Sequence, residues 1–383
     1  MTRRVLHLAG EFPPERIGGI ATYLENLVRF APRGTELAVV VASGESYSFD
    51  PPASSLKVRV QHVDLRPALD YVARRNVLSF AQVANILGTA GLLEEDWDLA
   101  HVHDWYGVLP ACALRALAPT PMVMTAHLPL RRGFSYANHP LPVLQKSRLE
   151  ALGFRLANRV LAPSRSIQAA LEAEYDVDVL RTAVVPGGVD TGLFSPESRV
   201  SEGPPRLLVS CRLTEQKGVE HAIAAFAEVR RRHPEVELWI AGDGPARARL
   251  SAMVDELQVS GVRFLGWVAH HELPALYDSA QVVLAPSAYE PFGLSVLEAM
   301  SCGAAVIASP FGGAMDFVHH GENGLLCVPH RRGELASVVL QLLADDALRS
   351  RLGQQARATA LQMTWDHTWS QLETQYELAR TSS

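Results

Sequence analysis

Short β-branched runs alternate with helix-like stretches along the whole chain, and the rhythm breaks only once. In the first half Val5–Ala9, Leu37–Ala42, Val58–Val63, Leu99–Val102, Met122–Thr125, Arg159–Ala162 and Ala183–Val185 read as strands. Helical patterns such as Ala21–Phe30 and Leu141–Ala157 lie between them. Near-continuous apolar strands separated by helices require a parallel sheet covered on both faces. Around Ser195–Pro205 the sequence turns to Ser, Pro, Glu and Gly and loses its apolar period, which marks a linker. The rhythm then restarts with Arg206–Cys211, Glu237–Ala241, Val262–Leu265, Val282–Ala285, Ala305–Ala308 and Leu325–Val328. A chain of 383 residues exceeds what one core usually serves. The expectation is therefore two α/β, doubly wound domains, 1–198 and 199–364, followed by a last helix over about 365–380.

Composition removes several function classes. Hydrophobic residues make up 48%, which excludes a mostly disordered chain. Thirty-five basic side chains against forty-one acidic ones leave −6, which argues against nucleic acid as a partner. Only three of the basic residues are lysines: Lys57, Lys146 and Lys217. Cys112, Cys211, Cys302 and Cys327 form no C-x-x-C pair and read as free thiols in a reducing cytoplasm. The apolar run after Arg4 is too short for a signal peptide, and no stretch approaches the roughly 20 apolar residues that cross a bilayer. The segment Arg115–Arg165 holds eight basic residues and one acid, Glu150. It reads equally as a solvated helix face or as a rim that attracts anions.

Ligands of parallel sheets bind beyond the carboxyl ends of the strands, so the loops there carry the chemistry. After the first strand come Arg16, Gly18 and Gly19, where paired glycines admit a close ligand and a helix start offers N–H donors to phosphate. A tight turn would use the same glycines. The loop is not G-x-G-x-x-G, so no dinucleotide fingerprint is present. His101-Val-His103-Asp104-Trp105 follows the fourth strand and His127 the fifth; a lone histidine there reads as a hydrogen-bonded structural residue, and two adjacent strands delivering polar groups to one crevice read as a site. A metal reading of the histidines lacks a completing Cys/His set.

In the second half, Arg212 and Lys217 share the loop after its first strand, where two cations reach a pyrophosphate or remain solvated. Gly242-Asp-Gly-Pro245 is a strand-to-helix turn. Glu290-Pro291-Phe292-Gly293-Leu294 precedes a helix that carries Glu298. Its free N–H groups suit phosphate or sugar hydroxyls, and the two carboxylates suit vicinal hydroxyls.

Together, Arg212…Lys217-Gly218, Gly242-Asp-Gly-Pro245, Glu290-Pro-Phe-Gly-Leu-Ser-Val-Leu-Glu298, Pro-Gly-Gly188-Val-Asp190 and Gly18-Gly19 resemble the family-four retaining glycosyltransferases over nearly the whole chain. The resemblance implies the GT-B fold, two facing Rossmann-like domains, with the last helix returning to the first. It implies that Arg212 and Lys217 hold the donor diphosphate and that Glu290 and the Phe292–Leu294 backbone hold the sugar. Glu298 would hold the ribose, Gly19 would lie against the phosphates with Arg16, Gly18, Gly242 and Pro291 also on the donor side, and His127 would lie near the transferring sugar. Arg16-Ile-Gly18-Gly19 and His101-x-His103-Asp104-Trp105 lean toward the glycogen-synthase branch, with His103, Asp104, Arg131 and Arg132 on the acceptor side.

The expected activity is transfer of a hexose, of the glucose or N-acetylglucosamine type, from an NDP-sugar such as a UDP-sugar. The acceptor is a hydroxyl of a glucan, a small molecule or a lipid-linked sugar, and no membrane contact is indicated. A double-displacement hydrolase would need a second carboxylate roughly 5 Å away, and none is apparent, so retention by front-face attack is expected. No metal or other cofactor is expected, because Asp176-Val-Asp178, although a D-x-D, sits between a helix and a strand. Two alternatives stand beside this reading: a glycogen or α-glucan synthase, and a nucleotide-sugar 2-epimerase on the same two-domain fold.

Overall fold

In the computed structural model, which describes residues 3–12, 19–41, 57–62, 92, 95–133, 141–196 and 203–382, the apolar runs of the amino-terminal half pair into one parallel sheet. Its strands are β1 (Arg3–Ala9), β2 (Thr35–Val41), β3 (Lys57–His62), β4 (Leu99–His103), β5 (Met122–Thr125), β6 (Arg159–Ala162) and β7 (Thr182–Val184). They lie in the order β3-β2-β1-β4-β5-β6-β7. The chain steps outward from β1 to β3, then returns to lay β4 on the other side of β1. Val5 to Ala9 and all of β4 are buried, as strands covered on both faces must be.

The second sheet repeats the plan. β8 (Arg206–Ser210), β9 (Glu237–Ala241), β10 (Val262–Gly266), β11 (Val282–Ala285), β12 (Val306–Ala308) and β13 (Leu325–Leu326) lie in the order β10-β9-β8-β11-β12-β13. Here the reversal falls between β8 and β11. β10 ends the sheet, and its side chains alternate between partly covered and exposed because an edge strand keeps one wet face. In open α/β sheets such a reversal parts the flanking loops and opens a crevice at the carboxyl ends of the strands. Both units therefore have one, at β1/β4 and at β8/β11.

The α/β doubly wound class expected from the sequence is what the chain adopts. The division between units differs from the expected 198/199 boundary. One unit is Met1–Pro186 with Trp365–Ser383, and the other is Gly187–Thr364. The Pro/Ser/Glu-rich stretch lies inside the second unit because the residues before it are already held there. The Val189 N–H donates to the Met363 carbonyl, and the buried Phe194 offers its carbonyl to Ser301 Oγ and Arg357 Nη1 at 2.6 and 2.7 Å.

The last helix, Trp365–Thr381, belongs to the first unit. Trp365, Trp369, Leu372, Tyr376 and Ala379 repeat at helical spacing and are buried. Trp369 Nε1 donates to the Leu27 carbonyl at 2.8 Å, Tyr376 Oη lies 2.7 Å from His101 Nδ1, and Arg159 Nε donates to Gln375 Oε1 at 2.9 Å. Among the described residues no helix is long and apolar enough to cross a membrane.

Candidate active site

In the second unit the loops after β8 and β11 are fastened to one another. The Ala288 N–H donates to the Gln216 carbonyl, and Gln216 Nε2 donates to the Tyr289 carbonyl. Gly218 makes this possible: its φ is +60°, and a Cβ there would stand 2.2 Å from the Pro286 carbonyl oxygen. The consequence is chemical. Lys217 Nζ donates to both oxygens of Glu290, at 2.7 and 3.0 Å, and Ser287 Oγ donates to Glu290 Oε2 at 2.9 Å. Glu290 is buried apart from an 8% remainder. Burial alone would lower the Lys217 ammonium, but the carboxylate outweighs it and raises the pKa, so the cation persists.

Glu298 is also buried, on the helix Leu294–Ser301. His270 Nε2 lies 2.8 Å from its Oε1, and Tyr277 Oη donates to Oε2 at 3.3 Å. A carboxylate has about four acceptor positions, so it retains capacity for ligand hydroxyls. Gly293, at φ +108°, starts that helix, whose first N–H groups have no acceptor within it. Pro291 precedes it. Phe292 is core, against Phe317, so only its backbone faces a ligand, and Leu294 is half-buried. Arg212 is exposed, with no partner for its guanidinium among the described residues.

Gly242 has a different explanation from the expected donor contact. At φ +133°, a Cβ there would stand 1.9 Å from the Cys211 carbonyl oxygen, so the chain's own packing demands the glycine. Cys211 and Leu213 donate their N–H groups to the Ala241 and Asp243 carbonyls, and this turn clamps the base of the Arg212–Lys217 loop. Gly19 is the opposite case. A Cβ would meet nothing within 4 Å, so no neighbour among the described residues requires a glycine. Arg16 and Gly18 lie outside the described residues.

The first unit's crevice is lined by histidines. His7 on β1, His101 and His103 on β4, and His127 after β5 are packed together, and His7 was not singled out from the sequence. His7 Nδ1 lies 3.0 Å from His103 Nε2, and His103 Nδ1 lies 3.0 Å from His127 Nε2. His101 uses both nitrogens, on Tyr376 and on Thr125 Oγ1. Ligand atoms of His7, His101 and His103 come within 4.8 Å of one another. A zinc ion would draw them to about 2.0–2.1 Å from one point, at the expense of these hydrogen bonds.

This arrangement corrects two acceptor-side expectations, at His103 and Asp104. His103 is fully buried with both ring nitrogens occupied, so it backs His127 and does not meet an acceptor. Asp104, at φ +55°, turns its carboxylate inward, where Oδ1 accepts the His127 N–H at 2.7 Å. Burial raises its pKa to about 7 against the lowering effect of that bond and one from Leu128. Arg131 stacks over the Tyr175 ring, 4.4 Å from its centroid, and bonds Ser147 and the Glu174 carbonyl. The Arg132 side chain lies outside what is described.

Other arginines of the basic segment also serve the fold. Arg115 bonds the Leu156 carbonyl, and Arg159 bonds those of Leu180 and Thr182. Asp178 of the D-x-D caps Leu180 N–H, and Asp176 ends a helix with φ +54°.

Burial sets the titration of this unit. It holds His7 and His127 down to about 3, and it pushes Glu150 up to about 8 against the hydrogen bond from Tyr175. Below about pH 6.5 the unfolded chain takes up protons that the folded histidines refuse, so stability falls with acid down to about pH 3. Glu150 keeps a proton that the unfolded chain loses above about 4.5, so its contribution falls as pH rises toward 8. Each group is worth at most ~1.4 kcal/mol per pH unit. Asp104 acts in the same sense as Glu150, but the four buried histidines His7, His101, His103 and His127 outnumber the two carboxyls, so thermal midpoints are expected to drop between pH 6.5 and 5 in the native chain. Glu150→Gln, which keeps an acceptor for Leu130 N–H and Tyr175, should lose less than the native chain between pH 6 and 8. Equal losses would remove Glu150 from the account.

Residues 17–193 match the model of "Glycosyltransferase Family 4", and residues 191–359 match "Glycosyl transferases group 1". The chain is 30% identical over 387 aligned residues to a glycogen synthase of Mycobacterium tuberculosis, covering 97% of this chain and 92% of that one. It is also 30% identical to a D-inositol 3-phosphate glycosyltransferase of Corynebacterium jeikeium, over 73% of this chain and 72% of that one. In fold it resembles the sucrose-phosphate synthase of Thermosynechococcus elongatus, with a TM-score of 0.85, 23% identity and full coverage of both chains.

Proposed function

Because the chain belongs to the family-four glycosyltransferases and has their GT-B fold, a hexosyltransferase that uses a nucleotide sugar, we propose that it moves a glucose- or N-acetylglucosamine-type hexose to an acceptor hydroxyl with retention and without a metal ion. The observation that carries this reading is the Lys217–Glu290–Ser287 cluster at the β8/β11 reversal. It joins a fixed cation, suited to a departing diphosphate, to a carboxylate suited to sugar hydroxyls. Arg212, on the same loop, adds a second cation for the diphosphate. Glu298 and the Phe292–Leu294 backbone complete the donor side within this unit.

The occupation of Glu290 argues against a covalent glycosyl intermediate, which leaves front-face attack as the route to retention. The two Glu290 oxygens serve Lys217 and Ser287, which makes the carboxylate a poor nucleophile toward the anomeric carbon. The bond from the anomeric carbon to the diphosphate oxygen breaks as the acceptor oxygen attacks from the same face. The acceptor proton passes to the leaving phosphate oxygen. Lys217 and Arg212 take up the charge that a metal would otherwise balance.

The decisive experiment is a donor panel of UDP-, ADP- and GDP-sugars, screened by thermal shift and then by acceptor-dependent NDP release. Product NMR is expected to show the donor's anomeric configuration, and turnover is expected to survive chelator. Inversion, or loss in chelator restored by manganese, would overturn the respective step. The similarity to a glycogen synthase over 97% of the chain favours a glucan acceptor as a second reading, and similarity to the inositol-phosphate enzyme favours a small cyclitol. Chain elongation of a glucan primer against single transfer to a cyclitol phosphate separates them. Release of UDP and free sugar epimerised at C2, without acceptor, would replace transfer by the epimerase reading.

A further inference from the structure

The buried histidine row has a direction. His7 lies opposite His101 in the β1–β4 register, and His103 follows two residues later on the same face of β4. The His7 and His103 rings are stacked at 20° and the His103 and His127 rings at 21°, with two 3.0 Å nitrogen–nitrogen contacts joining the three. Burial keeps His7 and His127 neutral at ordinary pH and depresses His103 further, with its neighbouring histidines adding to the effect.

A neutral imidazole has one N–H and one lone pair, so two contacts among three rings admit two consistent arrangements. In one, every ring donates from Nδ1: His7 to His103, His103 to His127, and His127 Nδ1–H is left over. In the other, every ring donates from Nε2 in the opposite sense, and His7 Nε2–H is left over. His7 Nε2 is buried and has no partner among the described residues. A buried N–H without an acceptor is rarer and costlier than an unused lone pair. The first arrangement therefore wins.

We propose that His7 and His103 are positioning residues that lock His127 in its Nδ1–H form, so that His127 meets the substrate as a hydrogen-bond donor to a sugar oxygen and not as a base. The role of His127 in this statement rests on the sugar-transfer reading above; the proton arrangement does not. The lock also explains why the His7 and His103 rings occupy the centre of a sheet that apolar residues would fill at less cost.

Long-range 1H–15N NMR on the full chain labelled at histidine reads the tautomer directly, with His127→Gln identifying the His127 signals. A protonated Nδ1 and a bare Nε2 on His127 are expected; a protonated Nε2 overturns the proposal. Two variants then separate positioning from packing. In His103→Asn the amide nitrogen stands near the place of Nδ1 and still donates to His127 Nε2, whereas His103→Leu fills the space and donates nothing. His103→Asn should keep the tautomer and hold kcat within about threefold. His103→Leu should give a mixed tautomer and lower kcat about tenfold or more, with little change in donor KM. A purely structural role reverses that order, since leucine suits a buried site better than asparagine, and that outcome also overturns the proposal. If the native chain shows the Nδ1–H form and no donor supports transfer, the proposed function fails and the lock stands.

Discussion

Replacing Lys217 with alanine is expected to reduce sugar transfer by about two to three orders of magnitude, the usual loss when a preorganised charge at a departing anion is removed. The loss should appear in kcat more than in donor KM, because the leaving diphosphate gains charge only as the bond breaks. A second effect accompanies it. Glu290 is buried and would keep only Ser287, and removing one partner of a buried ion pair typically costs about 3–5 kcal/mol. The double variant Lys217→Ala/Glu290→Gln isolates the catalytic part, since it removes the unpaired charge. Its thermal midpoint should recover toward the native value while its activity stays low. Retention of kcat within tenfold in Lys217→Ala would remove Lys217 from the reaction.

Gly312→Ala is expected to be comparably damaging without touching any charged group. Gly312 has a φ of +119°, which a side chain rarely adopts, and an added Cβ would stand 2.0 Å from the Glu290 carbonyl oxygen. That carbonyl also accepts the Gly313 N–H at 2.6 Å, while the Glu290 N–H donates to the Phe311 carbonyl at 2.9 Å. The strand-like bridge formed here is the backbone that aims Glu290 at Lys217. Backbone strain of this kind costs on the order of 1–3 kcal/mol before the clash is counted, and relief requires Glu290 to move. Unfolding by denaturant and transfer assays on the same preparation should show both a lower midpoint and a near-complete loss of kcat. Native-like activity in Gly312→Ala would mean that the bridge does not set the carboxylate.

The strands and the second unit's chemistry were legible for the same reason: both are written in local pattern. Apolar runs of four to seven residues between helical periods mark buried parallel strands, and Glu290-Pro291-Phe292-Gly293 announces a helix start with its carboxylate in place. What escaped the sequence was pairing across distance. His7 sits in the first strand as one polar residue among apolar ones and becomes informative only when β4 lands beside it. His270 and Tyr277 join the Glu298 carboxylate from a turn and a helix more than twenty residues before it, with no spacing to betray them, and Ser287 bonds Glu290 from three residues earlier in the same loop.

The misassigned residues have a common cause. His103 and Asp104 are polar and fall at the end of a strand, as site residues do, yet each is consumed by a partner that only the folded chain supplies. Gly242 repeats the lesson for backbone, since a close approach by Cys211 leaves the same trace in sequence as a close approach by phosphate. The boundary at 198/199 failed similarly, because a Ser/Pro/Glu-rich stretch marks lost periodicity and not the place where contacts change sides.

The helix Trp365–Thr381 completes a sheet whose strands are all encoded before residue 185. Synthesis on the ribosome runs the other way in time: the uninterrupted stretch 187–364 emerges and can fold while β1 to β7 still wait for Trp365, Trp369 and Tyr376. The amino-terminal half is therefore the last to mature, and during that interval its apolar surface is what a nascent-chain chaperone would meet. By the same logic, a stop codon just before position 365 would spare the nearer half of the protein and cripple the farther one.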